Sequence, residues 1–453
     1  MSELGDVVVL GAGLTGMSAA YFLRKGGHDR VELFEKEASA GGLVRTLTFG
    51  DYQFDYTGHF LHLRDDEIKG LVEQWCPGDF ERVVRDARIH SNGVFTHYPF
   101  QTNLHGQPLE VVKECLLGYI AARARDGERP ADAPAPTFEQ WILDGVGEGI
   151  AKHFMIPYNT KLWGVPLSTM TTDWMNRFMP QAPIDKVISG AIGLTDDGAG
   201  YNASFLYPRR GGIQTLSERF AAHVGPIELN REAARIDTRA RRVEFADGHA
   251  AGYERLISTL PLTRLCDLVV DLPAEVRDAR ARLRSSSVWS LLLGLTANHT
   301  EGRHWVYVPE ESYPFYRAGC FSNVSPSMAP PGHSAIWVER SYNDDRPLDA
   351  DAIRDATIDG LKRMGWLHDE SEIAVEQQLR IPEAYVVYDH NHAAATATIH
   401  AWLNAQGILS TGRYGQWNYS SMEDAIIDGR RAARELLGVA ATPNSTAAGA
   451  DLK

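Results

Sequence analysis

Three glycines, Gly11, Gly13 and Gly16, stand in the spacing G-x-G-x-x-G directly behind the apolar run Val7-Val8-Val9-Leu10. Four such residues in a row predict a short strand, and Met17 to Arg24 predicts a helix beyond the glycines. Val31-Glu32-Leu33-Phe34 predicts a second strand, ending at Glu35. In a unit of this order each glycine has a separate reason. The first permits a tight turn, the second lets a pyrophosphate approach the backbone, and the third lets the helix pack on the strand. The helix N-terminus then offers uncovered N–H groups and a partial positive charge to phosphates. An acid about 20 residues on, here Glu35, is placed to accept hydrogen bonds from a ribose. The opening therefore predicts a Rossmann-like dinucleotide-binding unit.

NAD and FAD both fit that fingerprint. Gly41-Gly42-Leu43, with Arg45 close behind, resembles the second glycine turn of the glutathione-reductase-type FAD folds. Leu256 to Pro261, LISTLP, resembles the strand and turn before their return crossover. Leu409-Ser410-Thr411-Gly412-Arg413, followed by a helical stretch, resembles their C-terminal FAD motif. The three segments in this order favour FAD.

The chain has 453 residues, 44% hydrophobic and 23% charged, which excludes a largely disordered protein. Lys+Arg 45 against Asp+Glu 59 gives a net charge of −14, which argues against nucleic-acid or anionic-membrane partners. Cys76, Cys115, Cys266 and Cys320 are scattered, with no CxxC, and predict buried thiols in a reducing compartment. No basic-then-apolar leader and no membrane-length apolar run is read, so a cytoplasmic protein is expected. His390 and His392 lack a matching carboxylate set, so no metal is expected.

The expected fold is α/β, in three parts. Residues 1–97, 205–268 and 400–440 form a discontinuous FAD-binding domain. Residues 98–204 form a mostly helical nucleotide-binding region, and 269–399 a mixed-sheet substrate domain. Strands are predicted at Leu291 to Leu293, Trp305 to Val308, Ile336 to Val338 and Ile408 to Gly412. Helices are predicted at Asp351 to Met364 and Met422 to Leu437. Residues 126–137, rich in Pro and Ala, read as a loop, and 441–453 as a disordered tail.

Several longer strings resemble one family, the UDP-galactopyranose mutases, and its eukaryotic branch most. They are YPFQ (98–101), PYNTKLWGVP (157–166), YNASFLYPRRGG (201–212), WVYVPEESYPFYRAGCFSNVSP (305–326) and GRYGQWNY (412–419). The resemblance places the chain within the amine-oxidase and protoporphyrinogen-oxidase-like FAD superfamily. It implies an isomerase that interconverts nucleotide-sugar pyranose and furanose rings, galactofuranose being the default product. Reduced FAD is implied as the nucleophile on the anomeric carbon, with NADPH or NADH as reductant.

The resemblance also implies roles. His59 sits beside the reactive flavin ring, in a loop where Thr57 replaces the family's first glycine. Arg177 and Arg317 hold the diphosphate, with Asn202 nearby and Arg413 beside flavin and sugar. Tyr307, Tyr385 and Tyr419 donate to the diphosphate. Tyr98, Phe100, Gln101, Asn159 and Trp163 match the uridine end. FAD contacts fall on Gly11, Gly13, Gly16, Glu35, Gly41, Gly42, Arg45, Ala233, Gly412, Arg413 and Met422, the last replacing a glutamine. Arg85 falls where the nicotinamide nucleotide is held. A nucleotide sugar is the expected partner, and homo-oligomerisation is left open. An FAD-dependent oxidoreductase of the amine-oxidase type stays open as the alternative function, and a non-enzymatic flavin-binding scaffold as a third.

Overall fold

The computed structural model describes residues 4–125, 135–172, 174–175, 182–194 and 203–439. The loop read at 126–137 falls mostly outside them, and the tail read at 441–453 wholly outside.

The opening unit forms as its pattern dictates. Val7–Leu10 is fully buried, which suits a continuous apolar run in a parallel sheet. The helix spans Leu14–Lys25 and the second strand Val31–Phe34. Four parallel strands stand in the order Ile408–Ser410, Arg255–Ser258, Val7–Leu10, Val31–Phe34. One sheet thus gathers strands from three distant stretches of chain. Helix Met422–Leu436 returns to pack on Leu14–Lys25, where Ser18 Oγ donates to the Ile426 carbonyl at 2.6 Å. A three-stranded antiparallel sheet, Ala250–Gly252, Arg242–Phe245 and Ala233–Asp237, lies in sequence between strands of the parallel sheet.

The second large element is a seven-stranded sheet. Its order is Ile373–Val386, Ser285–Leu295, Ser334–Tyr342, Arg317–Cys320, Trp305–Tyr307, Ala87–Ser91, Val94–His97. All neighbours are antiparallel except Trp305–Tyr307 with Ala87–Ser91. The two strands at one edge thus come from residues before 98. Their place is set by the register of Val306 against Arg88. Ser285–Leu295 is internal and almost wholly buried, which explains its unalternating Leu291-Leu292-Leu293 run. One face packs against helix Ala350–Arg363 through Trp289, Leu291, Val338, Ile358 and Leu361. Helices Leu109–Ala124, Phe138–Ile150, Ile156–Trp163 and Ile184–Ala191 share a third core with Phe100 and Trp163.

Strand Ile373–Val386, strands Ala87–Ser91 and Val94–His97, and helices Gln214–Val224 and His392–Ala405 are absent from the sequence expectations. All four cysteines are buried and unpaired. Among the described residues, no helix is long and apolar enough to cross a membrane.

Candidate active site

The glycine turn is shaped by space. Gly11 has φ +94°, and a Cβ there would lie 2.4 Å from Thr259 Oγ1. A Cβ on Gly16 would lie 1.9 Å from the Gly11 carbonyl oxygen, so only glycine lets the helix sit this close to the strand. Gly13 and Gly42 face each other, a Cβ on Gly42 falling 3.3 Å from the Gly13 Cα. The Gly41 N–H donates to the Ala12 carbonyl at 2.8 Å, which ties the second glycine turn to the first. Arg45 Nε donates to the Gly42 carbonyl at 2.7 Å.

Glu35 is buried at the end of its strand. Its carboxylate accepts from the Ala12 N–H at 2.8 Å and the Glu37 N–H at 3.0 Å. Those bonds fix the carboxylate and leave lone pairs over. Strand Ala233–Asp237 begins just after Arg231, whose N–H donates to the Glu35 carbonyl at 2.8 Å. Gly412 reaches the start of the first helix, for a Cβ on it would lie 2.5 Å from Thr15 Oγ1. Met422 is the first residue of the C-terminal helix. No side chain among the described residues caps helix Leu14–Lys25 at Gly13, so its first N–H groups stay uncovered for phosphate. An uncapped helix end, two facing glycine turns and a fixed carboxylate fit a dinucleotide such as FAD.

A cluster of cationic and aromatic side chains gathers at the large sheet. Arg317 stands opposite Tyr307 on one side and Glu339 on the other. Glu339 is fully buried and accepts four donors. Arg317 reaches it with Nε at 3.0 Å and Nη2 at 2.6 Å, Tyr316 with its hydroxyl at 2.7 Å, and Trp337 with Nε1 at 3.1 Å. A bidentate pair of this kind fixes the guanidinium plane. Nη1 has no hydrogen-bond partner among the described residues, so one edge of the fork stays open to a ligand.

Arg413 is spent differently. Nη1 donates to the Ser420 carbonyl at 2.8 Å and Nη2 to the Ala384 carbonyl at 2.9 Å. It supplies charge beneath the rings of Tyr419, 4.7 Å away, and Tyr385, 5.7 Å away. Those two rings lie 6.2 Å apart, nearly parallel. Burial pushes the Tyr385 phenol up to about 12, so it keeps its proton and remains a donor.

His59 interacts electrostatically with Arg413, Glu339 and Arg317 together. Burial, then Arg413, push it down to about 4. Its Nδ1 lies 3.2 Å from the Thr57 carbonyl. A carbonyl only accepts, so in the neutral ring Nδ1 carries the hydrogen and Nε2 is left as an acceptor. The Thr57 hydroxyl, 3.2 Å from the same nitrogen, adds a contact that glycine could not make.

The residues expected at the uridine end divide. Tyr98 lies 5.1 Å from the Tyr307 ring, with the Arg85 guanidinium 5.1 Å over its own face. Phe100 is fully buried against Phe154, and Trp163 is packed on Trp174 at 4.8 Å and Tyr385 at 5.7 Å. Both rings are packed into the same hydrophobic core. Asn159 is buried and spends its amide on the Met155 carbonyl at 2.7 Å. Gln101 is half-buried in the short turn Phe100–Thr102. Arg177 and Asn202 lie outside the described residues. The sequence reading missed Glu339, Trp337 and Tyr158, whose ring stands 5.3 Å from Tyr307. Tyr158 lies inside the PYNTKLWGVP string and could have been singled out there. Glu339 carries no local signal, since only strand pairing brings it to Arg317.

The family model for flavin containing amine oxidoreductases matches residues 14–437. The chain belongs to that family. It is also similar to the crystal structure of reduced UDP-galactopyranose mutase, with TM-score 0.89 and 27% identity, covering 97% of this chain and 95% of that one. A fatty acid isomerase from P. acnes shares the fold alone, with TM-score 0.67 and 13% identity over 96% of this chain and 99% of that one. Among curated relatives, a Dictyostelium discoideum protein described as a probable flavin-containing monoamine oxidase A is 36% identical over 114 residues. That match spans 23% of this chain and 25% of the relative. A flavin as cofactor follows from the family, and FAD is supported by the mutase likeness.

Proposed function

We propose that the protein is an FAD-dependent nucleotide-sugar pyranose–furanose mutase of the UDP-galactopyranose mutase type. The observation that carries the proposal is the charge balance of the pocket. Among the described residues, the charged groups acting most strongly on His59 and Tyr385 are Arg317, Arg413 and the carboxylate of Glu339, and Arg317 already pairs with that carboxylate. The remaining positive charge suits an anionic nucleoside diphosphate. It disfavours an ammonium substrate, which speaks against an amine oxidase despite the family name.

Reduced FAD would supply the nucleophile for the anomeric carbon, with NADPH or NADH as the electron source. Every other task falls to the chain. Arg317, fixed from behind by Glu339, presents its open edge to the diphosphate and retains it until it returns to the sugar. Arg177, matched by sequence, completes the clamp, with Asn202 alongside. Tyr307, Tyr385 and Tyr419 donate to phosphate oxygens. Neutral His59 offers Nε2 as an acceptor beside the reacting ring. Tyr98 and Gln101 take the base, with Phe100, Asn159 and Trp163 holding the wall that excludes water.

The test is a panel of UDP-, GDP- and dTDP-sugars incubated with dithionite-reduced protein and resolved by chromatography. Ring interconversion of a UDP-sugar is expected, without net oxidation. Failure across the whole panel, with peroxide release from amines or alcohols in air, would replace the mutase reading by an oxidase.

A further inference from the structure

Outside the flavin site, at one end of the large sheet, three metal-ligating side chains meet. We propose that His299, His368 and Glu372 bind a divalent transition-metal ion of the zinc class. His299 follows strand Ser285–Leu295, and His368 and Glu372 precede strand Ile373–Val386. The two strands pair with Leu295 opposite Ile373, which brings these connections together although the chain between them is long. One donor atom from each residue lies within 4.8 Å of the others.

The pairwise geometry is closer still. His299 Nε2 is 3.3 Å from both carboxylate oxygens of Glu372. The imidazoles of His299 and His368 stack with centroids 3.8 Å apart and planes 25° from parallel. Neither ring nitrogen of His368 has a hydrogen-bond partner among the described residues. An imidazole binds a cation through a lone pair in its own plane, so the two stacked rings must turn apart to share one ion, and the exposed side chain of His368 is the one that can turn.

Zinc binds imidazole nitrogen at about 2.0–2.1 Å and carboxylate oxygen at similar length, so ligand atoms around a tetrahedral ion stand roughly 3.4 Å apart. The His299–Glu372 pair already has that spacing. His368 is exposed, and rotation of its side chain closes the rest. Nitrogen-rich donors select zinc, copper or nickel over magnesium and calcium, which take oxygen.

The support is in place before any ion arrives. The Thr296 N–H donates to the Glu372 carbonyl at 2.9 Å. Asn298 Oδ1 accepts from the Thr300 N–H at 3.1 Å and hydroxyl at 2.6 Å, and Asn298 Nδ2 donates to Asn323 Oδ1 at 2.9 Å. With three protein ligands and solvent on the open side, water would complete the shell. Such an ion would clip the two strand connections together and act on stability.

The experiment uses the flavin-loaded full chain after dialysis against a chelator. Zinc chloride is titrated against a chromophoric chelator, and thermal unfolding is followed with and without one equivalent. One zinc per chain at micromolar concentration or tighter is expected, with a raised melting temperature. Magnesium at the same concentration should not raise it. His368→Ala and Glu372→Gln should each weaken zinc binding by at least ~10-fold and abolish the thermal shift. In His368→Ala, flavin content and melting temperature without metal should stay unchanged, since His368 is exposed. Absence of stoichiometric binding, equal stabilisation by magnesium, or zinc affinity unaltered in His368→Ala would overturn the proposal.

Discussion

Arg317 and Glu339 face each other across two antiparallel strands, and the pair sets what the pocket can hold. A lysine at 317 would keep the charge but lose the planar fork. Arg317→Lys should therefore lower the turnover of a nucleotide sugar by roughly 100-fold, the usual cost of one lost donor to developing charge. Flavin absorbance should be retained, because the hydrogen bonds of the Arg317 side chain go to Glu339 and none to the glycine turns. Glu339→Gln removes the charge that the guanidinium is buried against. Breaking such a pair costs roughly 3 kcal/mol, visible as an earlier midpoint in urea. The histidines give a pH prediction. Burial and, next, a neighbouring arginine hold both His59 and His62 at about 4, below the ordinary imidazole value. A depressed histidine favours the folded state fully above about 6.5, its unfolded value. That contribution is lost as pH falls toward 4. Melting temperature should thus drop between those values, and His62→Gln should flatten the slope.

Among the elements, the contact of helix Leu14–Lys25 with its strand is the most exacting. Gly16→Ala would place a methyl 1.9 Å from the Gly11 carbonyl oxygen. The helix must then move off the sheet, costing about 1–3 kcal/mol and displacing the uncapped N–H groups. Loss of flavin on gel filtration, with a lowered melting temperature, is the expected outcome. This unit was legible in sequence because glycine spacing, strand length and the acid all act locally. Strand Ile373–Val386 was not legible. It lies at a sheet edge, carries Glu376-Gln377-Gln378, and is interrupted by Pro382 and by Glu383 at φ +51°. An edge strand needs no apolar run, so no periodic signal marks it. Helix His392–Ala405 is similarly veiled, its Ala and Thr residues giving no apolar stripe. In the site, the long aromatic strings pointed to Arg317, Tyr307 and Tyr419. They did not reveal that Phe100 and Trp163 are core residues or that Arg413 is tied to backbone carbonyls. Those facts depend on packing between distant segments.

On the scale of the whole molecule, the parallel sheet is assembled from residues near 7, 31, 255 and 408. The cofactor cradle therefore exists only when segments from both ends and the middle of the chain have come together. A ligand that binds the folded state alone stabilises it by RT ln(1 + [L]/Kd), about 2.7 kcal/mol at one hundred times Kd. Flavin-stripped protein should melt several degrees lower, and added FAD should restore the loss. Against a net charge of −14, the Arg317 and Arg413 cluster is a local exception, in keeping with the anionic substrate proposed above. The proposed reaction is a redox-neutral rearrangement that runs only on reduced flavin. It is tested by dividing one preparation, reducing half with dithionite, and giving both halves UDP-galactofuranose. Pyranose formed in the reduced half and none in the oxidised half is the predicted result. Equal conversion in both halves, or none in either with flavin bound and reducible, would contradict it.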